Sequence, residues 1–120
     1  MTVFKSQRTF ALWDVNPTHA RVLFRSQKGD RNGTSGNLDL QFQCVSYLEI
    51  PFDIRGIEIR LAEPDERLKV IGRLGRSFAD DTLFAIETNA QTYYVAALSF
   101  HVDENDLPLM QSSILNNFTR

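Results

Sequence analysis

Residues 37–50 read NLDLQFQCVSYLEI, and the spacing of their apolar side chains decides the fold. Leu38, Leu40, Phe42, Cys44, Leu48 and Ile50 fall on one side of an extended chain; Asp39, Gln41, Gln43 and Glu49 fall on the other. A period of two marks a strand with one face on a core and one in water. The run is longer than most strands, so a bend or bulge is expected near Val45-Ser46. On this pattern Cys44 is a small core hydrophobe rather than a nucleophile.

The same period recurs on both sides. GIEIRLAEP (56–64) puts Ile57, Ile59 and Leu61 inward against Glu58 and Arg60, with Pro51 and Gly56 marking a turn before it. TLFAIET (82–88), a turn at 89–91, and TYYVAALSFHV (92–102) read as an antiparallel hairpin. Tyr93 and Tyr94 point to opposite faces, which predicts that at least one is exposed. Upstream, TFALWDV and ARVLFRS flank Asn16-Pro17-Thr18-His19, where proline suits the second position of a type I turn. Asp14 and His19 approach there because the chain folds back, so the cluster reads as a hairpin tip.

Two segments depart from this pattern. Between Arg67 and Leu74, Leu68, Val70 and Leu74 alternate with Arg67, Lys69 and Arg73, which favours a strand. Pro64-Asp65-Glu66 is equally able to start a helix, which Gly72 and Gly75 would weaken. Leu107, Met110, Ile114, Leu115 and Phe118 recur at three- and four-residue spacing, predicting a C-terminal helix over about 107–118 with Asp106 as N-cap and Pro108 in its first turn.

The expected fold is α+β, mainly β: a curled antiparallel sheet, a roll or small barrel of about six or seven strands, closed by the C-terminal helix. The alternative is a β-sandwich with a middle helix near 64–74. With 120 residues, no repeat and no Pro- or Ser-rich linker, 1–120 reads as one domain, with a mobile connection over 28–37. In element order the chain is similar to a pleckstrin-homology-like roll, which also ends its strands with a closing helix. That resemblance implies contacts to phosphorylated lipid heads from the first hairpin, at Arg21, Arg25 and Lys28.

Composition excludes more than it assigns. One cysteine forbids an internal disulfide and a cysteine-rich zinc site. No apolar run is long enough to span a bilayer, and the start MTVFKSQRTF has no secretory core, so a cytoplasmic location is expected. The glycines of KGDRNGTSG (28–36) lack the Lys-Ser or Lys-Thr ending of a phosphate loop. His101 and Asp103 share a strand face, a pattern that fits an edge strand better than a metal site. DENDLPLM (103–110) has proline where a calcium loop needs glycine. No catalytic, cofactor or metal residues are therefore assigned, and no cofactor is expected.

Charge is unevenly distributed along the chain. Residues 1–36 hold six basic groups against two acidic, and residues from 77 onward hold six acidic against one basic. If folding preserves this, it makes opposed charged faces that favour oriented association. The expected function is a non-enzymatic cytoplasmic protein-binding module, immunity- or inhibitor-like, with no membrane insertion. Its partner surface is expected at Asp103, Glu104, Asp106 and Tyr94. One alternative is a small-molecule-binding or enzymatic barrel with an internal pocket near Trp13, Tyr47 or His101. The other is an anionic-lipid or nucleic-acid binder using Arg21, Arg25, Lys28 and Arg31, although a pI near 5.6 is low for nucleic acid.

Overall fold

A computed structural model describes residues 1–29, 36–76, 81–89, 91–108 and 111–114. Among these, the chain forms β1 (Thr2–Asn16), a 3-10 turn (Thr18–Ala20), β2 (Arg21–Ser26), β3 (Asn37–Gln43), β4 (Tyr47–Glu49) and β5 (Asp53–Leu61). Helix α1 (Pro64–Leu74), β6 (Thr82–Glu87), β7 (Thr92–Ala97) and β8 (Ser99–Asn105) follow. The strands form one antiparallel sheet in the order β4-β7-β6-β5-β1-β2-β3-β8.

By pairing this is an open ladder, but connectivity rolls it. Only Leu98 separates the end of β7 from the start of β8, yet these strands stand second and last in the order. Six spacings of a flat sheet measure about 29 Å, whereas a two-residue step reaches about 7 Å. The sheet must therefore curl until its two ends meet. At that corner Leu98 N–H donates to the Gln43 carbonyl and Ser46 N–H to the Ala96 carbonyl, both at 2.9 Å.

The expected bend in 37–50 is present at Cys44–Ser46. Gln43 lies opposite Ser99 and Tyr47 opposite Ala96, so the β3–β4 side carries one extra residue, a bulge. Cys44 takes a left-handed φ of 55°. The hairpin tip braces it: Cys44 and Val45 N–H groups donate to the carbonyls of His19 and Ala20, each at 3.0 Å. The slip changes the face of everything after it. Cys44 is exposed rather than in the core, and Leu48 lies outside, while Val45 and Ile50 pack inward.

Inside the roll lie Phe10, Val22, Phe24, Leu38, Leu40, Phe42, Ile57 and Ile59 with residues of β6 and β7. The rings of Phe42, Phe84 and Phe100 meet there with centroids 5.0 to 5.8 Å apart. The interior is filled by side chains. Tyr47 and Trp13 are placed on its outside, and His101 is exposed.

Residues 64–74 form a helix, which corrects the strand reading. Pro64 occupies its first turn, and Glu63 and Glu66 form a reciprocal capping box. Gly75, at φ 80°, ends it with an N–H bond to the Ile71 carbonyl. Val70, Ile71 and Leu74 pack on Leu83, Ala85, Tyr94 and Ala96, where the two alanines leave room for a helix on the outer sheet face. Gly72 faces water, so its weak propensity does not disturb the packed side. The helix also hides Tyr94, so neither neighbouring tyrosine is exposed.

Three further expectations change. The described residues form eight strands, because bends divide two long ones. Gly56 lies within β5, at φ 65°, beside a register shift against β1, and does not mark a turn. Leu107 and Pro108 are not helical, and a helical turn is found at Ser113–Ile114. The rest of the expected 107–118 helix, at 109–110 and 115–118, and residues 30–35 of the 28–37 connection lie outside the described residues. Asp106 caps no helix at 107 but holds the Lys28 ammonium with its carboxylate and its carbonyl.

Candidate functional site

The site is built by a bulge in β1. Ala11 lies opposite Arg25 and Leu12 opposite Phe24, but Asp14 lies opposite Leu23, so Trp13 is an extra residue on β1. On the other side of β1, Ala11 faces Asp53, and Leu12 N–H donates to the Phe52 carbonyl at 2.7 Å. Arg25, Ala11 and Asp53 thus form a row across the outer face of β2, β1 and β5. Bulges of this kind re-aim side chains, and here Trp13 lies over the Arg25 guanidinium, 5.3 Å from it.

The small side chain of Ala11 leaves a hollow in that row. Thr9, Trp13, Arg25, Lys28, Phe52 and Asp53 surround it, and its volume is about 570 Å³. That is within the usual range for small-molecule pockets. Phe52 projects at the rim with 67% of its surface exposed.

Below the cleft lies a sealed polar layer. Arg25 makes a two-point bond with Asp39, at 2.7 and 2.9 Å, and donates to the Gln111 carbonyl at 3.0 Å. Both charged side chains are fully buried. Asn105 bridges Asp39 and Asp103 through its amide, and Gln41 donates to the Ser113 hydroxyl at 2.9 Å. Residues 111–114 therefore cover the outer face of β2 and β3, and Ile114 is fully buried. This explains why Asp39 and Gln41, placed in water by the alternation of residues 37–50, are buried. Arg8 ties together the two ends of the 28–37 connection by donating to Ser26 and Gly36; burial lowers its pKa while Glu104 opposes the shift.

A second polar cluster ties α1 to the sheet. Arg60 bonds Glu66 at two points and Glu87 at 2.6 Å, and the Tyr94 hydroxyl donates to Glu66 at 2.7 Å. The Arg60 hydrogen bonds hold the Glu66 carboxyl down at about 2. Burial, followed by the bond to Glu66, pushes Tyr94 up to about 12. Each of these groups has partners already, so the cluster fastens the helix.

The sequence-derived candidates are scattered by this arrangement. Asp103 is half-buried and bonded to Asn105, Glu104 is exposed, and Asp106 holds Lys28. Tyr94 is beneath α1 with its hydroxyl on Glu66 and offers no outward face beside them. Of the alternative basic group, Arg25 is internal, Lys28 is ion-paired, Arg21 is half-buried and Arg31 lies outside the described residues. The basic and acidic blocks interleave, since β8 lies beside β3, which lies beside β2. Among the described residues no group of three His, Cys, Asp or Glu is placed to hold a metal ion, and no helix is long and apolar enough to cross a membrane.

Sequence reasoning placed Trp13 in the strand leading to a hairpin tip and, in its barrel alternative, near an internal pocket, whereas the hollow beside it is on the outer face; Phe52 and Asp53 were passed over. The available signal was an aromatic residue immediately after proline in a polar turn, Pro51-Phe52-Asp53. Fold and cleft together define a rolled antiparallel sheet with an aromatic-walled hollow on its outer face. No family model, curated protein or solved structure matches the chain.

Proposed function

We propose that this protein is a non-enzymatic, cytoplasmic binding module, immunity- or inhibitor-like, that docks a partner protein on the outer face of its roll. The observation that supports this reading is Phe52, two-thirds exposed at the mouth of a cleft shared with the chain's single tryptophan. Large aromatic side chains carry a disproportionate share of binding energy at protein interfaces. An exposed phenylalanine beside a formed hollow is the arrangement of such an anchor.

Affinity capture from the native host, comparing the wild type with Phe52→Ala, tests it. Phe52 contributes little to the core, so the variant should keep its melting temperature. The expected result is one near-stoichiometric protein held by the wild type in moderate salt and lost from Phe52→Ala. A wild-type protein that elutes alone, or equal capture by both forms, would overturn the reading.

A further inference from the structure

Resting on that docking reading, we infer that the cleft receives an arginine side chain from the partner protein, held between aromatic walls and the Asp53 carboxylate. The argument is one of charge. Among the described residues, three charged residues line the hollow: Arg25, whose side chain is buried beneath it, Lys28 and Asp53. Arg25 is neutralised by Asp39 and Lys28 by Asp106. Asp53 is exposed, and its carboxylate forms no ion pair or hydrogen bond among the described residues.

Asp53 also lines two neighbouring hollows, so it stands where three depressions of the outer face converge. With the two cations cancelled, the described residues of the cleft present one uncompensated carboxylate beside Trp13 and Phe52. Aromatic faces attract cations, and Trp does so most strongly. A planar guanidinium adds stacking and a two-point bond to a carboxylate, which an ammonium cannot match.

Arg55, two residues along β5, is exposed and lines the adjoining hollows rather than this one, without an ion pair to Asp53. Its positive charge opposes a cation at Asp53. Ala11 fixes the depth of the floor, because a larger side chain there would fill the space.

Trp13 is the only tryptophan, so its indole N–H gives a single resonance in a proton–nitrogen correlation spectrum. That resonance is followed during titration with acetyl-Gly-Arg-Gly-amide, and with the same peptide carrying lysine or neutral citrulline. The expected result is a saturating shift with arginine, a weaker one with lysine and none with citrulline. Asp53→Asn should weaken arginine binding at least tenfold, Ala11→Leu should abolish it, and Arg55→Ala should tighten it about two- to threefold. The Asp53 and Arg55 side chains are exposed, so those variants should melt with the wild type.

Equal shifts from arginine and citrulline peptides, or an unchanged affinity in Asp53→Asn, would overturn the inference. So would free guanidinium binding as tightly as the peptide, since the cleft would then read a small cation rather than a side chain. If the peptides leave Trp13 unmoved while Phe52→Ala still releases the captured partner, the arginine assignment fails and the docking surface stands. If arginine binds through Asp53 while Phe52→Ala retains the partner, the assignment of this cleft to that partner fails.

Discussion

Replacing Asp39 with alanine tests the layer beneath the cleft most directly. Arg25 and Asp39 have side chains with 0% exposure and meet through two bonds of 2.7 and 2.9 Å. Removing the carboxylate leaves a guanidinium with no counter-charge in a place water does not reach. Breaking such a pair from one side costs about 3–5 kcal/mol. Against a total of roughly 5–15 kcal/mol for an ordinary domain, that is a large fraction. The loss should lower the melting temperature by roughly 10–20 °C. Arg25→Met in the same background removes the stranded charge, so the double variant should be more stable than Asp39→Ala alone. The coupling between the two sites should be at least about 2 kcal/mol. Urea unfolding followed by far-ultraviolet circular dichroism measures all four forms without relying on Trp13, whose ring rests on Arg25. A single-variant cost below about 1 kcal/mol, or costs that simply add, would refute the claim that the pair is buried and sealed.

Glu66 predicts a loss of stability in acid. Its folded pKa of about 2 lies below the usual 4.5, so its contribution is present above pH 4.5 and disappears as the pH falls towards 2. Glu66→Gln should flatten that part of the stability curve, measured by urea midpoints at each pH. Tyr94 acts in the opposite direction: raised to about 12, it contributes fully below pH 10 and loses its contribution between 10 and 12. Absorbance at 295 nm should show a tyrosine component titrating near pH 12 that is absent in Tyr94→Phe, whereas Tyr47, pushed up by burial and by Glu49, still titrates late in that variant. The two glycines at the end of α1 should respond oppositely to alanine. Gly72 has open space around a would-be methyl and an ordinary helical φ, so Gly72→Ala should stabilise by about 0.5–1 kcal/mol. Gly75 sits at φ 80°, so Gly75→Ala should destabilise by about 1–2 kcal/mol; equal signs in denaturant titrations would refute the assigned cap.

The strands were legible wherever one face meets the core and the other meets water. Leu38, Leu40 and Phe42, and likewise Ile57 and Ile59, alternate as an inner face should. The pattern misled where both faces are buried: Asp39 and Gln41 look solvated until the segment 111–114 covers them. It misled again at 67–74, because Val70, Ile71 and Leu74 satisfy helical spacing while Leu68 stays exposed. There the end signals at Glu63, Pro64 and Gly75 outweighed an alternation one of whose apolar members, Leu68, lies in water. The cleft was illegible for a different reason. Trp13 reaches the outer face through a bulge, and Phe52 and Asp53 join it through pairing with residues some forty positions away. Alternation within one segment contains neither relation.

The single-residue step at Leu98 also governs how the protein opens. In a sheet with independent borders, the outermost strands peel first, and their amides exchange with solvent long before the centre. Here β8 cannot drift from β3 without pulling on β7, which is flanked by both β6 and β4. Fraying at either nominal border therefore costs bonds at the other. Amides of β3, β4, β7 and β8 should exchange as a single group near the rate of global unfolding. A flexible insertion after Leu98 should split that group in two. The chain would then keep its strands but gain two loose margins, each a template for association with another copy.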